Sequence, residues 1–319
     1  MSQTDPILER ENARDACDGI THHWAHVNGL RLHYAAAGDP ARPLMLFVHG
    51  FPEFWYAWRE PMKAMADHYR VVALDMRGYN LSDKPEGVAA YRARHLIEDL
   101  RQLIVQLTAG TGQTRCTLVA HDWGGAVAWN FVAQHPDLVS RFAVFNAPHN
   151  ATFVRELAHN PAQQAASHYM LLHRSPLAED VMSRNQHACL SAMLRTSTPN
   201  ADWLDAGTEA RYREAWAQPG ALTGGLNYYR ATPMYPPTAT ERGPLDIQID
   251  PATCHVRVPT LVVWGERDPF LLPGCIDGLQ DHVDDLTLVR DPGSSHWIVH
   301  ERPDFVIQTL RDWLSQPRP

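Results

Sequence analysis

Short, unbroken apolar runs recur along this chain: Leu44–Val48 (LMLFV), Arg70–Leu74 (RVVAL), Cys116–Ala120 (CTLVA), Arg141–Phe145 (RFAVF), Thr260–Trp264 (TLVVW) and Leu286–Val289 (LTLV). Runs of this length without polar alternation predict strands buried on both faces, as in a mainly parallel sheet. Between them the apolar positions return at helical spacing. In Arg92–Leu107 the stripe is Leu96, Leu100, Leu103, Ile104 and Leu107, one face of a helix. Gly124–Gln134 and Phe305–Leu314 read the same way. Ahead of these, His22–Val27 and Leu30–Ala37 flank Asn28-Gly29, a pair that tolerates positive φ at both turn positions and so predicts a hairpin. Strand and helix in alternation predict an α/β protein, with a mainly parallel central sheet and helices on both faces.

The alternation breaks over residues 150–250, which hold helical stretches such as Ala210–Ala217, many aromatic residues and a Pro-rich tail. A helical insertion between two core strands is expected above the C-terminal strand ends, where α/β sheets bind ligands, as a lid. The expected organisation is therefore a polar lead-in over 1–20, a core from 21–149 and 251–319, and the inserted helical lid. Composition narrows the classes. With 28 Lys+Arg against 36 Asp+Glu the formal charge is −8, which argues against a nucleic-acid backbone binder. Five scattered cysteines without CxxC spacing argue against a disulfide framework or zinc ribbon. Residues 1–20 lack the basic start and apolar run of a signal peptide, and no run is long enough to span a bilayer. The expected address is cytoplasmic, and the oligomeric state a monomer or homodimer.

Candidate chemistry begins at Cys116–Trp129, CTLVAHDWGGAVAW. A buried strand ends in an acidic residue flanked by small ones, Ala120, Gly124 and Gly125, before a helix. That is the nucleophile elbow, whose sharp turn exposes one side chain and tolerates no bulk beside it. Here the exposed residue is Asp122. A carboxylate is a poor acyl-transfer nucleophile, but it can attack a saturated carbon and form an ester with it. Asp268 follows the strand Thr260–Trp264 in GERD, and His296 follows Leu286–Val289 in DPGSSH. Nucleophile, acid, histidine is the chain order of the α/β-hydrolase triad. His296 would activate water against the Asp122 ester, with Asp268 orienting its ring. The loop His49-Gly50-Phe51-Pro52-Glu53 would supply the Phe51 N–H to an oxyanion hole completed by the Trp123 N–H. The Phe51–Pro52 bond is a cis candidate.

HGFPEFWYAWR (49–59), RGYNLSDKP (77–85), HDWGG (121–125), GERD (265–268) and GSSHW (293–297) resemble the motifs of the epoxide hydrolases of the α/β-hydrolase fold, over about Thr21 to Leu314. One departure is Asn80, where that family usually has Gly; Asn also tolerates left-handed angles. The resemblance implies hydrolysis of a small apolar epoxide by water to a vicinal diol, with no cofactor and no metal. It further implies that two lid tyrosines, at Tyr169 and Tyr229, polarise the ring oxygen. Tyr228, beside the second, leaves a one-residue ambiguity. Phe51, Trp123, Tyr169, Tyr229 and Trp297 are the expected substrate contacts. The aromatic and apolar lid (Tyr169, Met170, Leu171, Leu172, Trp203, Tyr235) suits an apolar pocket.

Two other readings compete. Dehalogenases share the Asp-His-Asp machinery. Haloalkane dehalogenases often have Asn where this chain has Phe51, and fluoroacetate dehalogenases carry arginines where it has Trp123 and Ala126. His168 keeps part of the latter's first lid motif, and the Trp123 indole could serve a halide. A silent hydrolase fold used as a scaffold would be expected to lose triad members. Among the 18 histidines no HExxH or HxxEH occurs, and the pairs His22/His26 and His296/His300 do not make a metal motif.

Overall fold

The computed structural model describes residues 5–317. Eight strands form one sheet: β1 (Thr21–Val27), β2 (Leu30–Ala37), β3 (Leu44–Val48), β4 (Arg70–Leu74), β5 (Cys116–His121), β6 (Val139–Phe145), β7 (Thr260–Gly265) and β8 (Leu286–Asp291). Their order is β1-β2-β4-β3-β5-β6-β7-β8. The β1/β2 and β2/β4 pairs are antiparallel and the others parallel. Every run named from the sequence is a strand. Asn28 and Gly29 take φ of 51° and 75°, the angles the hairpin turn requires. β3, β5 and β7 are buried at every position, which explains their lack of alternation. β8 departs from that expectation. It is the sheet edge, and Leu288 is 37% exposed, so an apolar run there marks a strand without marking burial.

The helices are α1 (Pro6–Asp15), α2 (Arg59–Met65), α3 (Ala93–Thr108), α4 (Asp122–Gln134), α5 (Asn150–His159), α6 (Pro161–Ala166), α7 (Tyr169–Arg174), α8 (Ala178–Thr196), α9 (Ala206–Trp216), α10 (Ala221–Ala231), α11 (Pro251–Cys254), α12 (Ile298–Glu301) and α13 (Pro303–Ser315). α8 is broken at Arg184–His187, where three residues have positive φ. The stripe read on α3 is buried as expected.

The insertion between β6 and β7, α5 to α10, packs over the loops at the C-terminal ends of the strands. Tyr228 Oη donates to the Arg77 carbonyl after β4 (2.9 Å) and Trp216 Nε1 to the Pro52 carbonyl after β3 (2.6 Å). The lead-in is more than polar chain. It contains α1, whose Asp5 caps the helix (2.8 Å to the Ile7 N–H) and whose Glu11 and Asp15 are buried. Asp15 accepts from Nη1 and Nη2 of Arg211 on α9 (3.1 and 2.9 Å) and pairs with His22 (3.0 Å). The polarity of the segment reflects a buried ion pair that periodicity cannot register. Residues 1–4 of the expected lead-in lie outside the described residues.

Candidate active site

β3 and β5 are neighbours at the point where the strand order reverses, the place where open α/β sheets bind ligands. β5 ends at His121, and Asp122, the first residue of α4, takes φ 50°. Non-glycine residues seldom adopt this angle, and such strain clusters at functional positions. The small neighbours are a steric necessity. A Cβ on Gly124 would stand 2.4 Å from the Val48 carbonyl oxygen, and one on Gly50 would stand 2.2 Å from Asp122 Oδ1. Without these glycines the loop after β3 could not close on the elbow.

The closure brings the Phe51 N–H to Asp122 Oδ1 at 2.7 Å, and the Trp123 N–H also supports this carboxylate. Oδ2 is left facing His296 Nε2 at 3.5 Å. On the other side of the ring, His296 Nδ1 is 2.7 Å from Asp268 Oδ2. Asp268 is fully enclosed, whereas the Asp122 side chain is 13% exposed toward the cavity. Asp268 Oδ1 accepts from the Phe270 and Leu271 N–H groups (2.8 and 2.9 Å) and Oδ2 also from Asn146 Nδ2 (2.8 Å). The Phe51–Pro52 peptide is cis, and Asn80 takes φ 39° with its amide on Asp75 (2.7 Å).

The electrostatics follow. Burial raises the Asp122 carboxyl, but the hydrogen bond and charge of His296, with His121 and the Trp123 N–H, outweigh it and hold the group below the usual range. Burial would discharge His296, but the Asp268 charge and then Asp122 push its pKa up to about 10.

Tyr169, Tyr229, Phe51, His296 and Trp297 line one cavity with Asp122. Tyr169 and Tyr229 lie with ring centroids 6.1 Å apart and interact through their hydroxyls. Burial, then neighbouring negative groups, raises both phenols above their ordinary pKa. The Trp123 side chain leans on the Tyr229 hydroxyl and partly offsets this. Of the adjacent pair, Tyr228 Oη is bonded to the Arg77 carbonyl and Tyr229 lines the cavity. Trp297 packs edge-on to His296 at 4.8 Å and donates to Ser197 Oγ (2.7 Å). All eight residues named from the sequence thus meet at one place. His168, by contrast, is exposed.

Three groups at the site were not singled out by sequence. Asn146 falls just past β6, and the rule that strand C-termini carry site residues would have found it. Glu53 accepts from Tyr212 Oη (2.9 Å), pairs with His121 Nδ1 (3.0 Å) and meets His300, while His121 Nε2 reaches the His296 carbonyl (2.9 Å). Glu53 and His121 lie inside the quoted motifs, but their roles depend on contacts far apart in sequence. His173 lines the same cavity, and nothing in its local sequence marks it.

A mainly parallel sheet with this elbow defines the α/β-hydrolase fold family, to which the chain belongs, with the match spanning residues 43–303. Its relatives include epoxide hydrolase 3 of Xenopus tropicalis, 36% identical and covering 91% of this chain and 76% of the relative. The AB hydrolase superfamily protein YfhM of Bacillus subtilis is also 36% identical, over 93% and 99% of the two chains. A structure of a variant epoxide hydrolase from Bacillus megaterium, complexed with a naphthyloxy-propanediol product, superposes with a TM-score of 0.82 at 33% identity, over 92% of this chain and 100% of that one. Within the family, this chain is an enzyme of the epoxide-hydrolase branch.

Proposed function

We propose that this enzyme opens an apolar epoxide to a vicinal diol through a covalent ester on Asp122, with the helical insertion serving as the lid of the site. The observation that carries the reading is the pair of protonated phenols, half-buried Tyr169 and buried Tyr229, lining the same cavity as an ionised Asp122.

Asp122 Oδ1 is occupied by the Phe51 N–H, so Oδ2 is the attacking oxygen. As the C–O bond of the ring breaks, the departing oxygen takes its proton from the tyrosine pair. A phenol whose pKa is raised by burial stays protonated and donates to a developing alkoxide. Ester formation removes the negative charge of Asp122. One of the influences that hold His296 protonated then disappears and its pKa falls, so the imidazolium passes its proton to the phenolate left by ring opening and the neutral ring can accept a proton from water. Water attacks the ester carbonyl carbon, and the oxyanion forms on Oδ1, already within reach of the Phe51 and Trp123 N–H groups. Collapse breaks the bond from the carbonyl carbon to Oδ2, His296 gives the proton taken from water to that oxygen as the diol leaves, and the new Asp122 carboxyl, now holding the water's oxygen, returns its proton to His296. Asp268 stabilises the imidazolium throughout.

The Trp123 contact with Tyr229 bears on the dehalogenase alternative, since the indole that could serve a halide is already engaged. Steady-state assays separate the reactions. The wild type is expected to convert aryl and alkyl epoxides to diols and to release little halide from haloacids or haloalkanes. Halide release without diol formation would overturn the reading.

A further inference from the structure

Among the described residues, few buried side-chain polar atoms lack a hydrogen-bond partner. Among the described residues that line the Asp122 cavity, His173 Nδ1 is the one such atom. His173 is 3% exposed and lies one turn after Tyr169 on α7. Its ring stands edge-on to Tyr229 at 4.5 Å and to Tyr169 at 5.1 Å, and it touches Phe51 at 5.1 Å. An unpaired imidazole nitrogen in such a box destabilises the fold, which a Phe or Leu would not, so its polarity calls for an explanation. Burial, opposed only by Asp122, drives its pKa down to about 3. The ring is neutral and offers one N–H donor and one acceptor lone pair.

The cavity space divides around Asp122, Tyr169 and Tyr229. One lobe is apolar, lined by Ala126, Phe153, Met170, Met234 and Leu271. The other is bounded by Phe51, Met193, Phe270 and Trp297, and His173 is on this side. An epoxide with its oxygen at the tyrosines can place a substituent in either lobe. We propose that His173 is a specificity-determining residue that hydrogen-bonds an oxygen substituent, an ether or hydroxyl carried next to the oxirane, held in the lobe between Phe51 and Trp297. This inference rests on the epoxide reading of the site. It assigns the enzyme to oxygenated epoxides.

The test compares butyl glycidyl ether with 1,2-epoxyoctane, its isostere with CH2 in place of the ether oxygen. The ratio of the two kcat/KM values on one preparation is independent of the folded fraction. In His173→Phe, and in His173→Leu should the first variant misfold, the ratio is expected to fall about tenfold toward the hydrocarbon, the order of one neutral hydrogen bond. His173→Asn, whose amide nitrogen lies near the Nδ1 position, is expected to restore most of it. A packing role alone would lower both activities together and would not be rescued by Asn. A ratio within twofold of wild type in both apolar variants overturns the role of His173 while both diols still form. If the wild type forms neither diol, the epoxide reading falls and this proposal with it.

Discussion

Asp122 and His296 hold one another in charged forms, and the consequences can be measured separately. The His296 pKa is raised in the folded state, so its stabilising contribution is fully present below the ordinary histidine value, about 6.5, and is lost as pH rises through about 10. Between about pH 7 and pH 10 the Tm of the wild type is expected to fall more steeply than that of His296→Gln, which has no such group. Parallel curves would contradict the coupling. The tyrosines make a second prediction. Tyr169→Phe and Tyr229→Phe are each expected to lower kcat/KM for epoxides by about 10²-fold, the scale of one lost general acid. Tyr228→Phe should act on stability through its bond to the Arg77 carbonyl and leave Tyr169 and Tyr229 to donate. If Tyr228→Phe were the more damaging to turnover, the assignment of the second donor would be reversed.

At the scale of elements, the site is a product of loop closure at strand ends. Gly124→Ala forces a methyl group to 2.4 Å from the Val48 carbonyl, and β3 and α4 must separate to admit it. The expected result is a large loss of soluble protein or of Tm, since overpacking costs about 1–3 kcal/mol or more. Wild-type thermal unfolding would show that the elbow tolerates bulk. Asn146→Ala tests the support of Asp268. It removes the amide that bonds Asp268 Oδ2 and spans to Gly265, and kcat is expected to fall more than substrate affinity. The strands were legible because β3, β5 and β7 are buried on both faces, so apolar continuity and position coincide. Asp122, Asp268 and His296 could be picked out because each comes within a few residues of an apolar run, in the chain order nucleophile, acid, histidine. The edge position of β8, and the partners of Asn146 and Glu53, were not. They depend on which strands become neighbours, and local composition carries no record of that. Tyr169 and Tyr229 came from resemblance, and only the contact of Tyr228 with Arg77 separated the adjacent pair.

Across the whole molecule, the insertion is tied to the core by buried polar contacts as well as by apolar packing. On α9, Arg211 reaches Asp15 of α1 and Tyr212 reaches Glu53 beside the site. From Asp15 a buried line continues through His22 and His33 (3.0 Å) to Asp75 (2.7 Å). Removing one member of a buried pair leaves the other uncompensated, at about 3–5 kcal/mol. Asp15→Ala is therefore expected to lower Tm by several degrees, and deleting α1 to do at least as much. An unchanged Tm in Asp15→Ala would mean that Arg211 finds another partner. A polar lead-in hid this contact from the sequence because one helix of ten residues has too few apolar positions to announce what it packs on.

The covalent ester is the claim on which the rest depends. On the proposed mechanism, His296→Ala keeps the nucleophile and the tyrosines but removes the group that activates water, so the ester should persist once formed. Incubated with an aryl glycidyl ether and examined by intact-protein mass spectrometry, this variant is expected to gain the mass of one whole epoxide. The gain should map to the peptide holding Asp122 and vanish in the Asp122→Ala double variant. No gain under conditions where the wild type releases diol, or a gain that survives the loss of Asp122, would contradict the mechanism.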